Sequence, residues 1–238
     1  MNDSFFEYFI RERENISQNL YGDSGVRYKE YARFPRTALP DPRELEVSLS
    51  RLLAHRHTTR DFSTEQISLA DFGTLLHWVI GEVGERPDAP NGGKNRPYPS
   101  GGAKYPIELY PIVLNVEGVT PGVYHYHVPS HALEQISDTV DPKVLGAPLF
   151  YDFVQGAAAV LCLTFMKSRS VKKYGGLAYK LGMLEAGHVG QNAYLAAEAL
   201  GLGCCGLGGG DQPLMYSLLE IDGGNEHVVY AVAVGKKK

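Results

Sequence analysis

Residues 56–62, Arg-His-Thr-Thr-Arg-Asp-Phe, place two arginines four positions apart with hydroxyl groups between them. Guanidinium groups grip phosphate through charged, bidentate hydrogen bonds, and threonine hydroxyls add short donors. The cluster follows a predicted helix C-terminus, where the helix dipole gives an anion no help. Taken as residues alone, it reads either as an oxyanion-binding cluster or as a solvated basic loop. A second constellation, His125, His127 and His131 with Cys204 and Cys205, has metal-binding residue types. Adjacent cysteines chelate one ion poorly and no Cys-x-x-Cys is present, so no metal site is expected. Glu185 and His188 share a helix face at three-residue spacing and read as structural hydrogen-bonding groups.

These residues need elements to hold them. Leu45, Leu49, Leu52 and Leu53 recur at helical spacing and predict a helix within Pro42–His55. Ser68 and Asp71 form a capping box that opens a helix carrying Phe72, Leu75, Leu76, Val79 and Ile80. Glu85–Gly102, rich in Gly, Pro and Asn, predicts a loop. Strands are expected at Leu109–Val116, Gly122–Val128, Ala157–Met166 and Val228–Val234. The longest helix is expected at Leu177–Leu200, ended by Gly201. A glycine-dense loop then covers Gly201–Gly210, and a short helix Pro213–Leu219. Ser168–Tyr174 reads as a basic turn, and Phe5–Leu20 as a short helix. The order is α+β, without regular βα alternation. The glycines of Leu200–Asp211 follow a helix rather than a first strand, which excludes a Rossmann fingerprint. No Gly-Lys-Ser/Thr triplet offers a P-loop. Residues 1–42, with the connector Pro35–Pro42, are expected as an N-terminal extension, and residues 43–238 as one domain.

The 238 residues suffice for a sizeable core without disulfides or metals. With 44% apolar and 21% charged residues, the chain has globular composition. A net charge of −4 argues against nucleic acid and anionic membranes as partners. Three cysteines do not make a disulfide framework, and the start MNDSFFEYFIRERENIS does not resemble a signal peptide. A cytoplasmic, soluble protein is expected.

Arg56–Phe62 resembles the Arg-x-Ser/Thr-x-Arg-x-Phe opening motif of nitroreductase-type flavoproteins. Three further segments resemble the SagB-type branch of that superfamily, and in its order. They are Arg96-Pro97-Tyr98-Pro99-Ser100-Gly101-Gly102-Ala103, the Pro121–Tyr126 strand Pro-Gly-Val-Tyr-His-Tyr, and Leu184–Asn192 running on to Gly203. Together they cover roughly residues 30–235.

The resemblance implies a nitroreductase-like α+β fold, a mostly antiparallel sheet wrapped by helices in an intertwined homodimer, and FMN as cofactor. It implies that Arg56, His57, Thr58 and Arg60 hold the FMN phosphate and ribityl chain, joined by Lys236 or Lys237 but not Lys238. A flavin ring needs a flat slot and nearby backbone N–H donors. The turn Ser100–Ala103 carries little side-chain bulk and suits it, as the glycine stretch Gly203–Gly210 does on the other side; Pro99, Ser100, Gly101 and Gly102, and opposite them Gly206, Leu207 and Gly208, are the expected contacts. The alternatives are ordinary mobile loops and a frayed terminus. Lys173–Tyr174 resembles the Lys-Tyr pair of azoline oxidases and would supply the base, with Lys172 beside it; its alternative is a solvated basic turn. The implied activity is FMN-dependent dehydrogenation of thiazolines or oxazolines in a peptide natural product. Two other functions stay open: an NAD(P)H-dependent flavin reductase of nitro, quinone or dehydroamino-acid substrates, and a flavin-binding scaffold subunit of a cyclodehydratase complex. Expected partners are a second copy, a peptide or small-molecule substrate, and such a complex.

Overall fold

The computed structural model describes residues 28–86, 93–141, 143 and 145–238. The expected helix at Phe5–Leu20 lies outside them. In chain order the elements are β1 (Arg36–Ala38), α1 (Leu49–His55), α2 (Leu69–Ile80), β2 (Gly84–Arg86), β3 (Gly93–Asn95), a 3-10 turn (Gly101–Ala103), β4 (Ile107–Val113), β5 (Gly122–His127) and β6 (Ala132–Ser137). They continue with α3 (Gly146–Leu149), a 3-10 turn (Asp152–Gly156), β7 (Ala159–Met166), α4 (Lys167–Tyr174), α5 (Leu177–Ala199), β8 (Leu202–Leu207), α6 (Gln212–Leu219) and β9 (Glu226–Lys236).

Seven strands form one sheet in the order β1-β6-β5-β4-β7-β9-β8, each neighbouring pair antiparallel. The most apolar strands, β4 and β7, take the middle, where both faces are covered. One face packs on α2 and α5 through Ile107, Leu109, Leu161, Leu163 and Phe165. The other packs on residues 145–157 and α6 through Tyr110, Ile112, Val160 and Cys162. This is the expected α+β architecture, a mostly antiparallel sheet wrapped by helices. Helix α5 approaches the sheet on its small residues: a Cβ on Gly182 would stand 2.5 Å from the Phe165 ring.

Local chemistry accounts for most boundaries. Ser68 caps α2 by accepting from Asp71 N at 3.0 Å, as the capping box predicts. Helix α1 is shorter than expected because its cap is Ser48, which accepts from Arg51 N. Helix α5 stops at Gly201, which sits at φ +70°.

Four expectations are corrected. Gly201–Gly210 is a loop only beyond Leu207, since residues 202–207 form β8 against β9. Its glycines answer crowding: a Cβ on Gly203 would lie 2.8 Å from Thr59, and one on Gly206 would strike the Tyr230 hydroxyl. Glu85–Gly102 contains the short β2–β3 pair and the start of a 3-10 turn. The basic turn Ser168–Tyr174 belongs to helix α4. Strand β6 was not expected, because Glu134 and Gln135 interrupt its apolar pattern; Glu134 is nonetheless fully buried, paired in register with His125. Of the extension, residues 36–38 add β1 to the edge of β6.

Candidate functional site

Two polar clusters adjoin α5. The first forms where the chain leaves α1. Arg56 is the C-cap, and its guanidinium lies 5.3 Å over the Tyr194 ring. Thr58 Oγ1 is 3.2 Å from the Tyr194 hydroxyl, which also accepts the Gly206 N–H at 2.7 Å. The Thr59 N–H donates to Cys204 O at 2.8 Å, stitching the segment along β8. The Arg60 side chain reaches the Cys205 thiol, whose pKa burial raises against that hydrogen bond. Ser63 N donates to Lys236 O at 2.9 Å, and Phe62 bridges to Lys237. The structure thus gathers Arg56, Thr58, Arg60, Gly206, Lys236 and Lys237 around β8 and the end of β9. Lys237 pairs with Glu198 at 2.8 Å and Lys238 with Asp61 at 2.9 Å, whereas Lys236 has no ion pair among the described residues. His57 bonds His55 O and lines a cleft with Val47, Arg51, Leu52 and Glu198.

The second cluster is the Ser100 turn. Ser100 Oγ donates to Glu185 Oε2 at 2.6 Å and accepts from Tyr105 N at 2.8 Å. Gly102 sits at φ +61°, and a Cβ there would strike the Tyr174 hydroxyl and lie 2.8 Å from Lys173 Nζ. The sequence-predicted turn and the sequence-predicted base pair therefore meet. Pro99 lies at the entry to this turn, and Asn192 fastens the backbone just before it by donating to Pro97 O at 2.8 Å. Burial raises the Glu185 carboxyl to about 7, against the lowering by the Ser100 hydrogen bond. Glu185 and Tyr194 lie nine positions apart on α5, roughly 13 Å along the helix, so the two clusters stand apart within one chain.

A smaller hollow lies beyond β8, lined by Leu149, Gly208, Gly209, Gly210, Met215 and Tyr230. Gly206 and Leu207 belong to β8, and of the predicted trio Leu207 and Gly208 line this hollow.

Buried side-chain polar atoms without a partner, among the described residues, are Thr59 Oγ1, Tyr98 Oη and Glu185 Oε1. The first lies in the basic cluster and the other two beside the Ser100 turn. Such atoms are rare in folded proteins and call for a ligand, water or strain to explain them.

The histidines are used structurally. His125 stands between Glu108 (3.0 Å) and Glu134 (2.8 Å). His127 meets Ser130, and His131 meets Tyr126 and Pro40 O. Sequence reasoning missed Tyr194, Arg169 and the Glu108–His125–Glu134 chain. Arg169 sits four residues before Lys173 on α4, a spacing that could have flagged it.

The comparisons agree with this fold. The Nitroreductase family model matches residues 53–236. A nitroreductase-family protein of Methanocaldococcus jannaschii is 32% identical over 200 residues, covering 84% of this chain and 95% of its own. The chain belongs to the Nitroreductase family, and so to its oxidoreductases. The microcin B17-processing protein McbC of Escherichia coli is 37% identical over 126 residues, 47% of this chain and 43% of McbC. Among solved structures, a nitroreductase of Anabaena variabilis has a TM-score of 0.76 at 24% identity, over 98% of this chain and 47% of that one. A chain of the E. coli microcin synthetase McbBCD complex, with truncated pro-MccB17 bound, has a TM-score of 0.62 at 25% identity, over 81% and 74%. A nitroreductase of Desulfovibrio desulfuricans in complex with FMN has a TM-score of 0.55 at 19% identity, over 81% and 87%. No helix among the described residues is long and apolar enough to cross a membrane.

Proposed function

We propose that this protein is an FMN-dependent dehydrogenase that aromatises azoline rings in a peptide, as in the SagB-type branch. The observation that carries the reading is the meeting of Lys173 and Tyr174 with the glycine turn at Gly102. A glycine at φ +61° lets backbone approach a flat ring, and a basic pair beside it suits proton removal.

The residues present fit FMN. Thr59 Oγ1 is a buried hydroxyl without a partner, in a cluster with Arg56, Thr58, Arg60 and Lys236. That donor set matches a phosphate and a hydroxylated chain. Arg56, Thr58 and Arg60 would hold the phosphate end, with Lys236 as the cation still available to it. Ser100–Gly102 and Gly208–Gly210 would line the ring. Bound FMN would supply a two-electron acceptor for hydride. Aromatising an azoline removes a hydride from one ring carbon and a proton from its neighbour. Lys173–Tyr174 would take that proton, and the Ser100 turn would orient the ring for its departure.

Separation of the two clusters within one chain supports a homodimer in which one copy's Ser100 turn faces the other's basic cluster. The exposed apolar residues Tyr179, Met183 and Leu184 on α5 give that dimer a contact face. Likeness to McbC and to a chain of the McbBCD complex supports a peptide substrate and a place beside a cyclodehydratase. The broader match to the M. jannaschii protein favours a second reading, an NAD(P)H-driven reductase.

The test is to incubate FMN-loaded protein with a thiazoline-bearing peptide and follow loss of two hydrogens by mass spectrometry. Conversion to the thiazole supports the dehydrogenase. No conversion, together with rapid flavin bleaching by NAD(P)H alone, would replace it with the reductase.

A further inference from the structure

Three of the four residues from Gly102 to Tyr105 adopt left-handed backbone: Gly102 at φ +61°, Ala103 at +50° and Tyr105 at +46°. Only the first is glycine. Side chains make this region costly, and it persists where surrounding contacts over-determine it. The contacts here come from two elements. Glu185 on α5 accepts from Ser100 Oγ, which in turn accepts the Tyr105 N–H. Arg169 on α4 donates to Tyr105 O at 2.8 Å and pairs with Glu108. Both polar groups of the Tyr105 backbone are thus held, one from each side.

We infer that Arg169 and Glu185 are positioning residues that clamp the Ser100–Tyr105 turn in its left-handed form, fixing the backbone that Lys173 and Tyr174 face. Arg169 lies one helical turn before Lys173, so the bond that holds Tyr105 also sets the approach of α4 to Gly102. Its anchor does not yield. Glu108 is buried and bonded to His125, His125 to Glu134, and Glu134 to Arg36 at 2.6 Å. The fork of the arginine matters because it reaches Glu108 and Tyr105 O together, which an ammonium group does not match. The link from clamp to flavin rests on the proposed function; the clamp itself rests on the backbone and its bonds.

The experiment uses the full chain and the variants Arg169→Lys, Glu185→Leu and Glu185→Gln. Hydrogen exchange is followed by mass spectrometry across residues 97–108, with FMN affinity from fluorescence quenching and the midpoint of thermal unfolding. Arg169→Lys retains a cation for Glu108, so the fold survives. It and Glu185→Leu are expected to speed exchange in 97–108 and weaken FMN by ~10-fold, about the effect of one charged hydrogen bond. Exchange in α2 and β7 stays at the parent rate. Glu185→Gln keeps an acceptor for Ser100 and, below pH 7 where the Glu185 carboxyl is itself protonated, keeps parent exchange in 97–108 and parent FMN affinity. Parent exchange rates in both damaging variants would overturn the clamp. So would equal damage by Glu185→Gln and Glu185→Leu, or an acceleration spread evenly over the chain. A parent protein that takes up no FMN would instead overturn the proposed function, and the exchange comparison would still decide the clamp.

Discussion

The molecule buries carboxyl groups in two ways. Across β4, β5 and β6, Glu108 and Glu134 flank His125 and are closed off by Arg169 and Arg36. Beside the Ser100 turn, Glu185 has one hydroxyl donor and one oxygen with no partner. Burial opposes ionisation in both places. In the stripe the neighbouring cations prevail and hold both carboxyls at about 2; at the turn burial prevails and Glu185 rises to about 7. His125, raised by its two carboxylates against its own burial, links the two carboxyls. The difference separates a polar region built to hold the sheet together from one left incomplete where chemistry is proposed.

The sharpest break in that comparison is functional. Tyr174→Phe keeps the ring and removes the proton acceptor, so azoline turnover should fall ~10²–10⁴-fold with folding and FMN content retained. Steady-state rates beside a thermal melt check it; unchanged turnover would return the pair to a solvated basic surface.

The stripe should respond in the opposite way. His125→Leu leaves two buried carboxylates without the imidazole that bridges them. Breaking such a group costs about 3–5 kcal/mol, or roughly 10 °C in Tm for a domain of this size. Calorimetry showing no loss would mean that the chain adds nothing to stability.

pH distinguishes the two regions as well. Glu185 is raised from 4.5 to about 7, so the folded state binds the extra proton between those values. Its contribution is complete below about pH 4.5 and is lost as pH rises through 7. Glu185→Gln removes that loss and should raise stability at pH 8 by up to ~3 kcal/mol. Glu108 and Glu134, lowered to about 2, contribute stability that is present above about pH 4.5 and lost as pH falls toward 2. Melts of the parent and Glu185→Gln from pH 4 to 8 should diverge upward in pH; parallel curves would contradict a neutral Glu185.

What was legible in the sequence follows from what is local. The Ser68–Asp71 box and the Arg56–Arg60 cluster lie within a few residues, so spacing revealed them. The meeting of Gly102 with Lys173–Tyr174 joins residues about seventy positions apart; resemblance proposed both partners, but only the fold brings them together. Strand β8 was hidden because its glycines read as a loop, although Tyr230, Thr59 and Phe62 require their missing side chains. Strand β6 was hidden because Glu134 and Gln135 interrupt its apolar pattern, and the partners of Glu134 come from β1 and β5. A period-2 pattern fails where a buried charge is paired across strands.

The smallest expected effect lies within the basic cluster. Arg56→Ala should weaken FMN by ~1.5–3 kcal/mol, as loss of a charged hydrogen-bond donor does. Lys238→Ala, exposed and paired only with exposed Asp61, should leave FMN affinity near parent. Equal loss in both variants would remove Arg56 from the phosphate site.

The central claim is that this chain holds FMN at the Arg56–Arg60 cluster. Titrating the purified, flavin-stripped protein with FMN and with FAD tests it most directly. The account predicts stoichiometric uptake of FMN, one per chain, with a shifted visible spectrum and much weaker FAD binding, because the cluster offers one phosphate clamp. A protein that stays colourless with FMN, or that binds FAD as tightly, would contradict it.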